Sequence, residues 1–448
     1  MYTRSVFLAG LLALASAAPA PPHKWGNNED WRAEHGTEGT WKSRIKNVVI
    51  LAEENRSFDN FCGAFNYRDD IDGLVGRDFC NPMNASMPGS PIVCAKPNAK
   101  DIAPDDPPHG ISGINYQVFG TFHPPADADM SMEKMNGFVT EQATVFKTDD
   151  VNRAVEAIDY FAPEHVRVFE ALAKEYVLFD KWYAAVPGPT NPNRAYLTAG
   201  TSHGHGRNDK DFTTSSIPVR SIFQQLSEKD ISWINYSNTT TFPPDADFYT
   251  WTKESGASVT NVKPLTQFYD DAKAGTLPQF SYFNPECCSF QSFHPPSATT
   301  DGESFIKDVY EALRSSPQWE ETLFILTFDE HGGFGDHVPP PVNVPAGDDL
   351  TYTETAPDGK NMTFDFKRLG IRVPTILISP FVEKMGVEHE GRNFGKQYTH
   401  TSILHTLAKL WDLDILTPRV AWSSTFEHLI GETARKDTLE TLPNAYPY

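Results

Sequence analysis

Two groups of oxygen-bearing side chains stand directly after short apolar runs. Asn47 to Leu51 leads into Glu53-Glu54-Asn55-Arg56-Ser57, and Leu323 to Phe328 leads into Asp329-Glu330-His331-Gly332-Gly333. Continuous apolar runs of this length suit strands buried on both faces. Adjacent acids at the end of such a strand repel one another and lose hydration unless a cation sits among them. Glu54, Asn55, Asp329 and Glu330 are therefore expected to hold one divalent metal ion. An oxygen-only set favours Mg, Ca or Mn, with Zn as a substitute. Taken alone, Asn55 or Ser57 also fits an ordinary helix cap. Asp336-His337 adds a further acid and an imidazole just downstream.

A third candidate follows the apolar run Tyr176 to Phe179. Pro187-Gly188-Pro189 imposes a turn, and Asn193 to Gly200 then has a helical pattern, with Pro192 tolerated in the first turn. Thr190 is thereby placed at a helix N-terminus, where free N–H groups attract a phosphate. Beside a metal, its hydroxyl becomes a candidate nucleophile; without one it is a plain cap. His109 and His294 lie in Pro-rich loops of the kind that deliver side chains into sites. His400 and His405 read as packing or capping groups, and His203 and His205 receive no role.

These positions need a sheet that brings distant strand ends together. Further strands are expected at Phe280 to Phe283 and Thr375 to Ile378. Helices are expected at His165 to Glu175, Ser221 to Glu228, Glu303 to Ser315 and Thr401 to Trp411. The alternation predicts an α/β fold, a doubly wound and mostly parallel sheet flanked by helices. Ligands bind such sheets beyond the carboxyl ends of the strands. One catalytic domain spans 44–448, with excursions rich in Pro and Asp at 62–125 and 335–365.

The chain has 448 residues and a formal charge of -21. That charge argues against nucleic-acid binding and against long residence on anionic membranes. Arg4, the apolar run Val6 to Ala15 and Ala15-Ser16-Ala17 form an expected signal peptide over 1–17, followed by a polar arm over 18–43. A secreted, extracellular monomer without a transmembrane segment is expected. Of the five cysteines, Cys80 and Cys94 are the preferred disulfide pair; Cys62, Cys287 and Cys288 complete the set. Sequons at Asn84, Asn235, Asn238 and Asn361 fit glycan acceptors, whereas Asn55 is expected to face inward.

Glu54-Asn55-Arg56-Ser57-Phe58-Asp59 resembles the signature of the phosphoesterase family of phospholipase C and acid phosphatase type. Asp106-Pro107-Pro108-His109, Gly188-Pro189-Thr190-Asn191-Pro192-Asn193-Arg194, His294-Pro295-Pro296 and Thr327-Phe328-Asp329-Glu330-His331-Gly332-Gly333 with Asp336-His337 resemble its later motifs, in the same order. The resemblance implies an alkaline-phosphatase-like fold. It also implies a metal on Glu54, Asn55, Asp329 and Glu330, and a phosphothreonine intermediate at Thr190. His109, His294 and His337 would be catalytic, and Asn193, Arg194, His331 and Asp336 would bind substrate. Phe293 and Gly335 depart from the pattern, and both changes are expected either to widen the pocket or to alter leaving-group choice.

The expected activity is that of a metal-dependent acid phosphatase on phosphomonoesters. The alternatives are a phospholipase C acting on phosphatidylglycerol or phosphatidylcholine, and a non-catalytic phosphate-ester binding protein. Thr190→Ala should fold and bind metal but lose turnover. Activity above about 1% of wild type would rule out a covalent Thr190.

Overall fold

Every residue of Asn47–Glu53 and Thr322–Phe328 is buried, and the two segments pair in parallel from Asn47↔Thr322 to Glu53↔Phe328. In this computed structural model the described residues are 41–239, 242–285, 291–392 and 395–448, all within the compact unit Gly39–Tyr448. The expected signal peptide, residues 18–40 of the arm, Cys287 and Cys288 lie outside them. Residues 41–44 of the expected arm form a helical turn with Trp41 buried.

The central sheet contains β1 Asn47–Glu53, β2 Val177–Phe179, β3 Trp233–Ser237, β4 Val262–Pro264, β5 Phe280–Asn284, β6 Thr322–Phe328, β7 Thr375–Ile378 and β8 Gly386–Glu388. Their spatial order is β8-β2-β7-β6-β1-β5-β3-β4. Neighbours are parallel except at β7, which is antiparallel to both β6 and β2. Phe280 and Tyr282 of β5 pack on Phe223, while Phe283 packs on Phe268. Alternate residues of one strand thus meet helices on opposite faces, which makes the sheet doubly wound. The expected strands are all present. β3, β4 and β8 were not expected: β3 carries Asn235 and Ser237 within its apolar pattern, and the other two are short.

The expected helices form at Arg167–Glu175, Ile222–Glu228, Thr299–Ser315 and His400–Trp411. Ser221 caps the second by accepting from the Gln224 N–H. Both excursions carry structure of their own. Cys80–Pro82 and Ile92–Cys94 form a hairpin closed by the Cys80–Cys94 disulfide, and Tyr352–Thr355 pairs with Asn361–Phe364. Cys62 is buried and unpaired. The sequons divide by exposure. Asn361 is exposed and Asn84 half-buried, whereas Asn235 is fully buried and donates to the Tyr282 carbonyl and Asn284 Oδ1. The folded chain cannot offer Asn235 to a glycan.

Phe58–Cys62 is a short helix, α1, that lies behind the two central strand ends. Its Phe61 ring meets Phe161, Phe169, Phe293 and Phe328 at centroid distances of 5.1–5.7 Å. Phe61→Ala should lower unfolding free energy by about 3–5 kcal/mol, as a cavity of that size among aromatic rings normally does. Urea unfolding checks it, and a loss below about 1 kcal/mol would contradict this packing.

Candidate metal and phosphoryl site

The ends of β1 and β6 are cross-linked by backbone. Asp329 N–H donates to the Glu53 carbonyl at 2.9 Å, and Arg56 N–H donates to the Glu330 carbonyl at 3.1 Å. Asn55 adopts a left-handed conformation with φ 60°, and its N–H reaches Asp329 Oδ1 at 3.3 Å. Gly332 lies against it: a Cβ there would stand 2.5 Å from the Asn55 carbonyl oxygen. Only glycine allows this approach, so the Gly332-Gly333 pair lets two loops share one site. Ser57 caps α1 by accepting from the Asn60 N–H. The Ser57 cap and the buried Glu54-Asn55 pair therefore coexist within four residues.

Glu54, Asn55, Asp329 and Glu330 are all buried. The cation among them is Arg194, on the helix α2 Thr190–Ala199. Its Nη2 donates to Glu54 Oε1 at 3.2 Å and its Nε to Asp329 Oδ2 at 3.1 Å; Nη1 lies 3.5 Å from Asp245 Oδ2. Arg194 was expected to bind substrate, and its ion pairs show a second task, which is to neutralise the strand ends. One arginine does not suffice. Burial, opposed by Arg194, pushes the Glu54 carboxyl up to about 7 and drives Asp329 up as well. Glu330 goes the other way, because His109, His331 and the Gly332 N–H outweigh its burial. Glu54 Oε2, both side-chain polar atoms of Asn55 and Glu330 Oε1 are buried without a hydrogen-bond partner. Unpaired buried oxygens of this density are costly, and a hard divalent cation is the group that fits them.

Thr190 opens α2, with Pro189 as the N-cap residue, so its hydroxyl is not consumed as the cap. It lines a cleft of about 560 Å³ together with Glu54, Arg194, Asp245, Asn284 and His294. The helix terminus is a weaker anion trap than the sequence suggested. Asn191 N–H is taken by Asn208 Oδ1 at 2.8 Å, and Pro192 has no N–H to give. Arg194, one turn along the same helix face, supplies the positive charge instead. Asn193, expected to bind substrate, does not line the cleft. Its amide donates to the Gly188 and Pro189 carbonyls and accepts from Val186 N–H, which fixes the turn that presents Thr190.

His109 and His294 come together, with ring centroids 6.4 Å apart. His109 Nε2 is 3.7 Å from Glu330 Oε1, and His294 Nε2 is 3.9 Å from Asp106 Oδ2. Gln117 of the first excursion secures this loop: it donates to the Pro108 carbonyl and approaches His331 Nε2 at 3.2 Å. His331 is buried, its imidazole is driven towards the neutral form by that burial, and Nδ1 is 3.4 Å from Glu330 Oε2. It therefore braces Glu330 and does not line the cleft. His400 is likewise a brace, as expected of a packing group. It receives a hydrogen bond from Trp182 and donates through Nε2 to the Asp329 carbonyl at 2.6 Å.

Asp336 and His337 are drawn into a separate network. Arg372 pairs with Asp59 and Asp336 at 3.0 and 2.9 Å, and His337 reaches Asp59 and Asp72 at 2.6 and 3.2 Å. Those two carboxylates, against the opposing effect of burial, raise the His337 imidazole to about 9. Neither residue lines the Thr190 cleft. The two positions that depart from the family pattern do not line that cleft either. Phe293 turns inward onto Phe61 and Phe328, and a Cβ at Gly335 would meet Ile158 and Phe79 at 2.8 Å. Sequence reasoning missed three acids: Asp106, inside a quoted motif but without a role; Asp245, in a Pro-rich stretch with no local signal; and Glu53, fully buried with both oxygens unpaired.

Residues 45–414 match the Phosphoesterase family. Non-specific phospholipase C1 of Arabidopsis thaliana is 38% identical over 420 residues, covering 89% of this chain and 74% of that protein. Non-specific phospholipase C6 of the same plant is 36% identical over 430 residues, covering 92% and 78%. The hemolytic phospholipase C of Pseudomonas aeruginosa is 26% identical over 424 residues, covering 82% of this chain and 52% of its own length.

The raised carboxyls of Glu54 and Asp329 have a measurable sign. With divalent ions stripped, the folded state holds protons that the unfolded chain has already lost. Stability should therefore fall as pH rises from about 5 to about 8. A saturating divalent ion should flatten that slope and raise Tm. Calorimetry across the pH series checks this, and a stripped protein that gains stability over the same window would show that these carboxyls are already compensated.

Proposed function

This chain belongs to the Phosphoesterase family and is a hydrolase acting on phosphoester bonds; from that premise we propose that it is a phospholipase C acting on glycerophospholipids. The observation that carries the reading is the likeness to plant non-specific phospholipases C over about nine-tenths of the chain. The acid phosphatase expectation rested on the acidic surface, the short chain after the last motif and the lack of an apolar surface helix. Net charge bears on anionic membranes and not on zwitterionic lipid. Phe242, Pro243, Phe248 and Pro285 also line the cleft, and apolar lining suits the glycerol and acyl side of a lipid.

In this reading Glu54, Asn55, Asp329 and Glu330 hold a divalent ion. When bound, it supplies positive charge for a phosphoryl oxygen and lowers the pKa of a nearby hydroxyl. Arg194, with Nη1 buried and without a hydrogen-bond partner, binds a second phosphoryl oxygen. Thr190 Oγ1 attacks phosphorus in line. The bond from phosphorus to the glycerol oxygen breaks, and the proton lost from the Thr190 hydroxyl ends on the oxygen of the departing diacylglycerol. Water then cleaves the phosphothreonine and releases the phosphorylated headgroup. His109 and His294 border the phosphoryl oxygens. Asp245 holds Arg194 and Asn284 in register, accepting from Asn284 Nδ2 at 2.7 Å. Export through the segment 1–17 completes the proposal, and no helix among the described residues is long and apolar enough to cross a membrane.

Phosphatidylcholine vesicles, phosphatidylglycerol vesicles and a chromogenic phosphate monoester should be offered to the purified protein at equal phosphorus concentration. Diacylglycerol release should exceed monoester hydrolysis at least tenfold in kcat/KM. A preference for the monoester would return the protein to the phosphatase reading.

A further inference from the structure

Arg56 directly follows the ligand candidates Glu54 and Asn55 but does not line the Thr190 cleft. It lines a separate cleft of about 340 Å³, which the exposed Lys100 also borders. Arg56 is 1% exposed, and its guanidinium lies over the rings of Phe334 and Phe161 at 4.5 and 5.9 Å. Contact with the rings fixes its plane. Nε and Nη2 are both buried without a hydrogen-bond partner. These two nitrogens form the edge of a guanidinium that gives two parallel bonds to a carboxylate or phosphate. Arg153 shows the same edge in use, since its Nε and Nη2 donate to Asp105 Oδ2 and Oδ1 at 2.6 and 2.7 Å. Asp105 lines the Arg56 cleft, so the acid at hand there is already spent. Asp106 and Asp101 attract Arg56 through space, but no carboxylate among the described residues pairs with it.

The same cleft keeps unspent acceptors. Asn60 donates through Nδ2 to the Asp159 carbonyl at 2.8 Å and leaves Oδ1 unpaired. Gln142 donates through Nε2 to Asp105 at 3.3 Å and leaves Oε1 unpaired. Both amides are thereby oriented with the oxygen free. Burial pushes the Glu156 carboxyl, a further lining group, up to about 7, so in mildly acidic solution it does not repel an anion. Water could satisfy these atoms singly, but it would leave the buried guanidinium without a counter-charge. We propose that this cleft binds a small oxyanion, phosphate or carboxylate, with two of its oxygens on Arg56 Nε and Nη2, the Lys100 ammonium beside it, and hydroxyl groups of the ion or its carrier on Asn60 and Gln142. The site is separate from the phosphoryl cleft and does not depend on the phospholipase reading. Its walls still come from the segments that carry the strand-end ligands and His109: Arg56 follows Asn55, Phe334 follows the Glu330 loop, and Pro107 stands two residues before His109. A bound ion would tie those three segments together from behind.

Calorimetric titration of the full-length protein, stripped of divalent ions and held at about pH 6, tests this with inorganic phosphate and, separately, with acetate. Wild type should show saturable binding and a rise in Tm with ion concentration. Arg56→Gln should weaken that binding at least about tenfold, the loss expected when a charge-assisted pair of bonds is removed. Arg56→Lys should not restore it, because an ammonium offers no fork. Lys100→Ala should weaken it by a smaller factor, and since Lys100 is exposed this variant gives a folded case even if Arg56 variants are unstable. The same binding event should persist in Arg194→Gln, which disables the Thr190 cleft instead. The tighter of the two ions identifies a phosphoryl or a carboxylate source. No saturable binding of either ion would overturn the proposal. So would binding that ignores both Arg56→Gln and Lys100→Ala, or binding that disappears in Arg194→Gln.

Discussion

Like charges buried at neighbouring strand ends are the constraint around which this protein is arranged. Two unit charges about 4 Å apart repel by about 4 kcal/mol at an effective dielectric near 20. Here Glu54, Asp329 and Glu330 crowd the ends of β1 and β6, with Asp245 close by. Arg194 touches three of these acids, which is why the helix beginning at Thr190 must dock at the strand ends and nowhere else. The nucleophile candidate is thus positioned by the same ion pairs that make the carboxylates tolerable. Cation binding and placement of the hydroxyl are one problem with one structural answer.

Around that centre, many residues with suggestive chemistry turn out to be supports. Asn193 fixes a turn, His331 and His400 fix Glu330 and Asp329, and Gln117 fixes the loop of His109. The Arg372 network does the same at a distance, tying α1 to the loop after β6 through Asp59 and Asp336. Each support consumes the polar atoms that would otherwise seem free to bind substrate. Around the ends of β1 and β6, Glu53, Glu54, Asn55, Arg56, Glu330 and Arg194 keep buried polar atoms without a hydrogen-bond partner, and of these Glu54 and Arg194 line the cleft.

The fold was legible wherever a strand was buried on both faces, because its whole length is then apolar. β1, β5, β6 and β7 announce themselves in this way, whereas β3 hides behind Asn235 and Ser237, and β8 is a three-residue edge. The strand-end ligand candidates were legible for the same reason, since acids directly after such a run are buried at a cost that a cation must offset. What the sequence could not reveal was how side chains are spent. His337 and His109 look alike as imidazoles near acids, yet one is locked to Asp59 and the other faces an unpaired oxygen of Glu330. Asp245 was invisible because its importance arises from contact with Arg194, and no local pattern encodes that contact.

The register of the sheet also sets an order in time. β1 begins at residue 47, but its two partners begin at residues 280 and 322. A chain emerging from its N-terminus must therefore carry its first central strand unpaired while most of the domain is still being made. Contacts so distant in sequence slow folding and leave apolar edges exposed meanwhile. β1 gains its first central partner only when β5 is delivered, and the sheet centre closes only with β6.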